Sequence, residues 1–135
     1  MITEEYIVGL VDGEGSFQVQ LRKDRKNPTI RFSLKLQEKD KEILEELKSF
    51  FGCGNIYIQN DKRPNHSRCF RFEVYHQRDM VERIIPFFEK NPPKIKSKIN
   101  DFNLLKQISG ELIKEKPDYH LVNLLAKQID RKSVV

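Results

Sequence analysis

At 135 residues the chain has room for one domain with a substantial core and not for two. Charged side chains make up 33% of it and the net charge is +5, which favours a nucleic acid or another polyanion as partner. Cys53 and Cys69 form no paired motif, Glu4 and Glu5 interrupt any secretory leader, and no apolar run approaches the length of a membrane span. A disulfide-built secreted scaffold and a membrane protein are thereby excluded, and the expectation is a soluble, reduced, intracellular protein without a targeting signal.

The chain opens on a helix. Thr3 suits its N-cap and Glu4 and Glu5 the positive end of its dipole, which predicts a helix from about Thr3 to Asp12. Gly9 and Gly13 lie four residues apart on one face, and each costs roughly 1 kcal/mol against alanine inside a helix. Small residues at that spacing let a second helix approach closely, while Ile7, Leu10 and Val11 turn toward the chain's own core. Glu14 then stands between Gly13 and Gly15. A carboxylate opposes the dipole at a helix C-terminus, so this place suits a divalent cation held with the Gly13 carbonyl better than it suits stability. A plain C-cap and turn at the two glycines is the alternative.

From Ser16 the pattern alternates. Phe17, Val19 and Leu21 point inward, and Ser16, Gln18, Gln20 and Arg22 outward, which marks a strand with one buried face. A charged hairpin loop carrying Lys23, Arg25 and Lys26 leads to a second strand, Ile30 to Gln37, with Arg31, Ser33, Lys35 and Gln37 outward. These outward faces hold no acid. Amides and cations along two antiparallel strands can read base edges in a major groove, with an ordinary solvated sheet face as the alternative.

Asp40 is placed to cap a second helix, with Ile43, Leu44, Leu47, Phe50 and Phe51 at core spacing and Gly52 as its stop. Asn55 to Gln59 and Arg68 to Tyr75 form a second strand pair. Its inward residues are Ile56, Ile58, Phe70, Phe72 and Val74, and its outward ones Tyr57, Gln59, Arg71, Glu73 and Tyr75. The connection between them is basic, with Lys62 and Arg63. A third helix from about Arg78 packs Met80, Val81, Ile84 and Ile85 until Pro86. The order is αββαββα, an α+β fold with helices on one face of an antiparallel sheet and the other face open.

After Pro92 and Pro93 come Lys94, Lys96 and Lys98, which read as a phosphate clamp, as one catalytic lysine with neighbours, or as a solvated charge run. A helix from about Ser97 buries Phe102, Leu105, Ile108 and Leu112, and Pro117 opens a last one with Leu121, Leu124, Leu125 and Ile129. Cys53, His66, Cys69 and His76 lack the pairing of a zinc site, and His120 reads as a surface residue.

Ile7 to Gly15 resembles, position by position, the motif of single-motif LAGLIDADG homing endonucleases, with Gly9, Leu10, Asp12 and Gly15 identical to it. Val8 replaces an alanine and Glu14 an aspartate. The resemblance extends over about residues 1–110 and implies one domain over 1–135 with a saddle-shaped sheet. Within it, 1–13 would be a dimer-interface helix (Val8, Gly9, Asp12, Gly13), 16–37 and 55–75 the DNA-binding strands, and 97–131 additional C-terminal helices.

It further implies an intron-encoded homodimer in the cytoplasm or the organelle encoding it. Such an enzyme makes a double-strand break with short 3′ overhangs in a long, nearly palindromic DNA site, and takes no small-molecule substrate. Glu14 and the Gly13 carbonyl would bind the metal, Gln37 would position the attacking water and Lys96 would stabilise charge. Mg2+ is the expected ion, with Mn2+ substituting and Ca2+ non-catalytic. DNA would be held by Ser16, Gln18, Gln20, Arg22, Lys23, Arg25, Lys26, Arg31, Ser33, Lys35, Tyr57, Gln59, Lys62, Arg63, Arg68, Arg71, Glu73, Tyr75, Lys94 and Lys98. An intron RNA maturase, a non-cleaving DNA-binding regulator and a structural dimer of the same fold are the alternatives; the presence of Glu14, Gln37 and Lys96 together favours the nuclease.

Overall fold

The first helix, α1 (Glu4–Glu14), starts where Thr3 Oγ1 accepts the N–H of Tyr6 at 3.1 Å. The computed structural model describes residues 2–21, 28–59 and 68–130. In it α1 runs two residues beyond the expected Asp12, and Gly15 ends it with an N–H to the Val11 carbonyl. A Cβ at Gly15 would stand 2.8 Å from Val11 Cγ1 and 2.9 Å from Val11 Cα, so only glycine lets the chain turn this tightly from helix to strand.

The alternating stretches form β1 (Gly15–Gln20), β2 (Thr29–Gln37), β3 (Asn55–Gln59) and β4 (Cys69–Val74), antiparallel in the order β1-β2-β4-β3. Two hairpins therefore meet along the central pair β2 and β4. Between them α2 (Lys41–Phe51) is entered through a 3-10 turn, Glu38–Asp40, and the Asp40 side chain makes no cap hydrogen bond, contrary to expectation. Its apolar stripe is Leu44, Leu47 and Phe51, with Phe50 exposed. Gly52 closes α2 at φ 70°, and Arg83 Nη1 donates to the freed Phe51 carbonyl at 3.0 Å.

The third helix does not stop at Pro86. It runs from α3 (Gln77–Asp79) through a π-helical segment, Met80–Ile84, into α4 (Ile85–Lys90), which buries Phe88. Pro86 has no N–H to give and its ring crowds the preceding turn; a widened turn just upstream accommodates both. In α6 (Tyr119–Asp130) the buried stripe is Val122, Leu125, Ala126 and Ile129, so the expected Leu121 and Leu124 lie outside it, 40% and 47% exposed. Glu111, near the end of α5 (Lys96–Leu112), accepts the Lys114 ammonium and the Asp118 N–H, each at 2.8 Å. Those two donors, Lys114 first, hold its carboxyl below the usual range and fasten the turn between the two helices.

All helices cover one face. Phe17, Phe32, Phe88 and Phe102 form the centre of the core, with Phe17 edge-on to Phe88 at 5.3 Å between centroids and 5.4 Å from both Phe32 and Phe102. Gln18, Gln20, Lys35, Gln37, Tyr57 and Gln59 are exposed on the opposite face. Ile58, on the edge strand β3, is exposed rather than buried. Among the described residues no helix is long and apolar enough to cross a membrane.

Candidate functional site

One rim of the sheet gathers the chemistry. Glu14 is exposed at the C-terminal end of α1, one residue before β1 begins. Because Gly15 pairs with Leu34, the last three residues of β2 run past the start of β1, which brings Gln37 to the same rim about 10 Å further on. The third contributor comes from far along the chain. Asp12 Oδ1 accepts the N–H groups of Lys94 and Ile95, each at 3.0 Å, and Oδ2 accepts Lys94 N–H at 3.1 Å. A carboxylate thus caps the positive N-terminal end of α5 and pins it against α1.

This clamp decides which lysine reaches the rim. Lys98, half-buried, donates its ammonium to the Gly15 carbonyl beside Glu14. Lys96, the lysine expected there, is the exposed first residue of α5, and Lys94 is exposed as well. Helical phase is the reason: Lys98 shares its side of α5 with buried Phe102 and Leu105, whereas Lys96 lies in line with exposed Asn100 and Asn103. Asp12→Ala is expected to lower stability by about 1–3 kcal/mol, as loss of hydrogen bonds to a charged group does. Chemical unfolding measures it, and a variant as stable as the parent would show that the clamp does not hold α5.

Of the expected interface residues, Val8 is only 7% exposed and lines the same cavity as Gly9. Asp12 uses its carboxylate on the backbone that enters α5. Gly9 and Gly13 are exposed, and a Cβ on either would meet nothing within 4 Å. Among the described residues nothing calls for glycine at these two positions. A cavity of about 400 Å³ at Gly9 is lined also by Glu5, Val8, Asp12, Pro92 and Pro93, among others.

As for a metal, among the described residues no group of three His, Cys, Asp or Glu side chains could hold one. The exposed Glu14 carboxylate and the Gly13 carbonyl are oxygen donors of the kind hard divalent cations take, so they fit part of such a site. Burial, and secondarily Asp79, pushes the Cys53 thiol up, which opposes a nucleophilic role.

The strand register arranges the open face in rows: Gln18 and Arg31; Ser16, Ser33, Glu73 and Asn55; Lys35, Arg71 and Tyr57; Gln37, Cys69 and Gln59. Ser33 and Glu73 are buried among their neighbours, so neither stands clear of the surface. A hydrogen bond between Tyr57 and Tyr75 pushes the Tyr57 hydroxyl above its ordinary value, with burial adding to the effect. Arg68 departs from expectation. Its guanidinium pairs with Glu38 at 2.7 Å and lies 5.6 Å from the ring centroid of core-facing Phe70, so it belongs to the helix side. Arg22, Lys23, Arg25, Lys26, Lys62 and Arg63 lie outside the described residues.

Fold and site together define an α+β protein of the αββαββα class, with one open sheet face and a carboxylate, an amide and a lysine at its rim. Residues 7–109 match the family model described as LAGLIDADG endonuclease, and the chain belongs to that family.

The chain is 32% identical over 90 residues to "Probable intron-encoded DNA endonuclease 1" of Mycosarcoma maydis, covering 67% of this chain and 31% of that protein. It is 31% identical over 121 residues to "Probable intron-encoded endonuclease 2" of Neurospora crassa, covering 85% of this chain and 25% of that protein. It thus spans about a quarter to a third of the curated relatives it matches. Among solved structures, I-SmaMI bound to uncleaved DNA target in the presence of calcium ions superposes with a TM-score of 0.81 at 29% identity, over 97% of this chain and 46% of that one. The homing endonuclease I-TnaI superposes at 0.73 over 96% of this chain and 88% of that one; at 24% identity it bears on the fold alone.

Proposed function

We propose that the chain is a site-specific homing endonuclease that acts as a homodimer and makes a magnesium-dependent double-strand break in a long, nearly palindromic DNA site. The observation that carries this reading is the Lys98 ammonium on the Gly15 carbonyl, one residue along the chain from Glu14, at one rim of an open, amide- and cation-bearing sheet to which Asp12 fastens α5. Glu14 and the Gly13 carbonyl would hold a divalent cation, which when bound supplies Lewis acidity and an activated water for attack on a phosphodiester. Lys98 replaces Lys96 in the expected role: its ammonium, on the carbonyl of the residue after Glu14, would place positive charge where charge develops on the phosphate. The Gln37 amide can both donate to and accept from a water at the same rim. Gln18, Gln20, Lys35, Arg71, Tyr57 and Gln59 supply the donors and acceptors for groove contacts.

Dimerisation through Gly9 and Gly13 completes the site. Two copies meeting on this face bring two Glu14 carboxylates together, one for each DNA strand.

The test is a randomised duplex library incubated with the protein in magnesium, with sequencing of the cut ends. A single enriched site of approximate two-fold symmetry, cut on both strands with short 3′ overhangs, is expected. Binding to DNA without cutting in magnesium or manganese would overturn the nuclease reading in favour of a regulator, and binding to folded RNA alone would overturn it in favour of a maturase.

A further inference from the structure

Glu73 stands where an acid is least expected. It lies on the central strand β4, on the open face, between Ser33 and Asn55 and beside the row that holds Lys35, Arg71 and Tyr57. A carboxylate there repels phosphate, and at 6% exposure it has also lost its water. Both costs need a counterpart, and two arginines provide it. Arg31 Nε stands 2.6 Å from Glu73 Oε1, and Arg71 Nε 3.7 Å from Oε2. Both Nε atoms are shielded from solvent and make no hydrogen bond, so the carboxylate acts on them as an ion-pair partner, and Gln20 Oε1 accepts Arg31 Nη2 at 3.2 Å as a further restraint.

The side of the guanidinium that pairs with the acid matters. In both ion pairs the carboxylate stands against Nε, which leaves to an outside partner the Nη1 and Nη2 edge with its two parallel donors matched to guanine O6 and N7. A simple phosphate clamp would gain nothing from Glu73, because arginines freed of a competing carboxylate bind phosphate more strongly. The acid therefore lowers general affinity for DNA, and what it gains in exchange is fixed direction of the two side chains.

We propose that Glu73 is a positioning residue for base readout, orienting Arg31 and Arg71 so that their outer edges select guanine at set positions of the duplex. This rests on the DNA-binding reading above. It adds a division of labour: Arg31 and Arg71 make the contacts, and Glu73 sets their aim without touching DNA.

The experiment uses the full chain as wild type, Glu73→Gln and Arg71→Lys, each selecting from a randomised duplex library in calcium. The wild type should enrich a consensus with guanines in each half. Glu73→Gln should lower the guanine preference at those positions roughly ten-fold, within the range a bidentate contact provides, while retaining more unselected duplex. Arg71→Lys, which keeps the charge but not the fork, should lose preference at one of the same positions. A merely structural Glu73 would weaken binding to all sequences alike and leave the consensus intact, which overturns the proposal while the DNA-binding reading stands. A wild type that enriches nothing overturns that reading and the proposal with it. If Glu73→Gln does not fold by circular dichroism, Arg31→Lys joins Arg71→Lys as the deciding pair, and unchanged guanine preference in both overturns the proposal.

Discussion

Glu14→Gln is expected to abolish DNA cleavage in magnesium while binding to the same DNA in calcium survives. The amide keeps the shape of the side chain and removes the carboxylate charge that Glu14 offers a cation. A fall in cleavage rate of roughly a thousand-fold or more follows when such a group is lost from a phosphoryl-transfer site. The substitution should not harm the fold. Glu14 is exposed at the negative end of α1, where a carboxylate opposes the helix dipole, so its removal should raise stability by about 0.5 kcal/mol. Cleavage assays and thermal unfolding read the two effects separately. Cutting retained at the wild-type rate would sink the assignment of Glu14 as metal ligand. A loss of cutting accompanied by unfolding would assign it a structural role instead.

Gly9→Leu is expected to turn a dimer into a monomer without weakening the monomer. The space around a Gly9 Cβ is open, and leucine is a better helix former than glycine by close to 1 kcal/mol, so α1 itself should gain. Across a close helix pair the added isobutyl group has nowhere to go, and the partner must withdraw. Sedimentation should show the molecular mass halved at concentrations where the parent is dimeric, with cleavage lost and the unfolding midpoint of the isolated chain kept or raised. An unchanged dimer would place the interface elsewhere on the surface.

Both predictions rest on a helix that was legible from its residues. Thr3 as N-cap, the inward Ile7 and Val11, and the outward Gly9 and Gly13 follow from a period of 3.6. Strands β1, β2 and β4 were equally legible from alternation, since Phe17, Phe32 and Phe72 turn inward as a period of 2 requires, whereas on the edge strand β3 the expected Ile58 is exposed. At several positions the local pattern gives two answers. Leu121 and Leu124 fit a helical stripe as well as Val122 and Ala126 do, and only docking of α6 against α5 and β1 selects between them. Arg68 looks outward as one more cation near the strands, but it has the same parity as Phe70 and Phe72, and Glu38 draws it to the helix side. Lys96 and Lys98 are two residues apart in one basic run. Their helical phase favoured Lys98, yet what brings α5 to the rim is the bond from Asp12 to a backbone 82 residues away.

The sequence by itself determined the elements, their buried faces and the carboxylate between two glycines, because periodicity, caps and turns are interactions among residues a few positions apart. The tertiary structure alone decided how the polar groups are used. Asp12 became the clamp on α5, Lys98 the lysine at the rim, and Glu73 a buried acid between two arginines. Each of these depends on the direction of a hydrogen bond or ion pair between distant segments, and that direction exists only once the sheet register and the helix packing have set it.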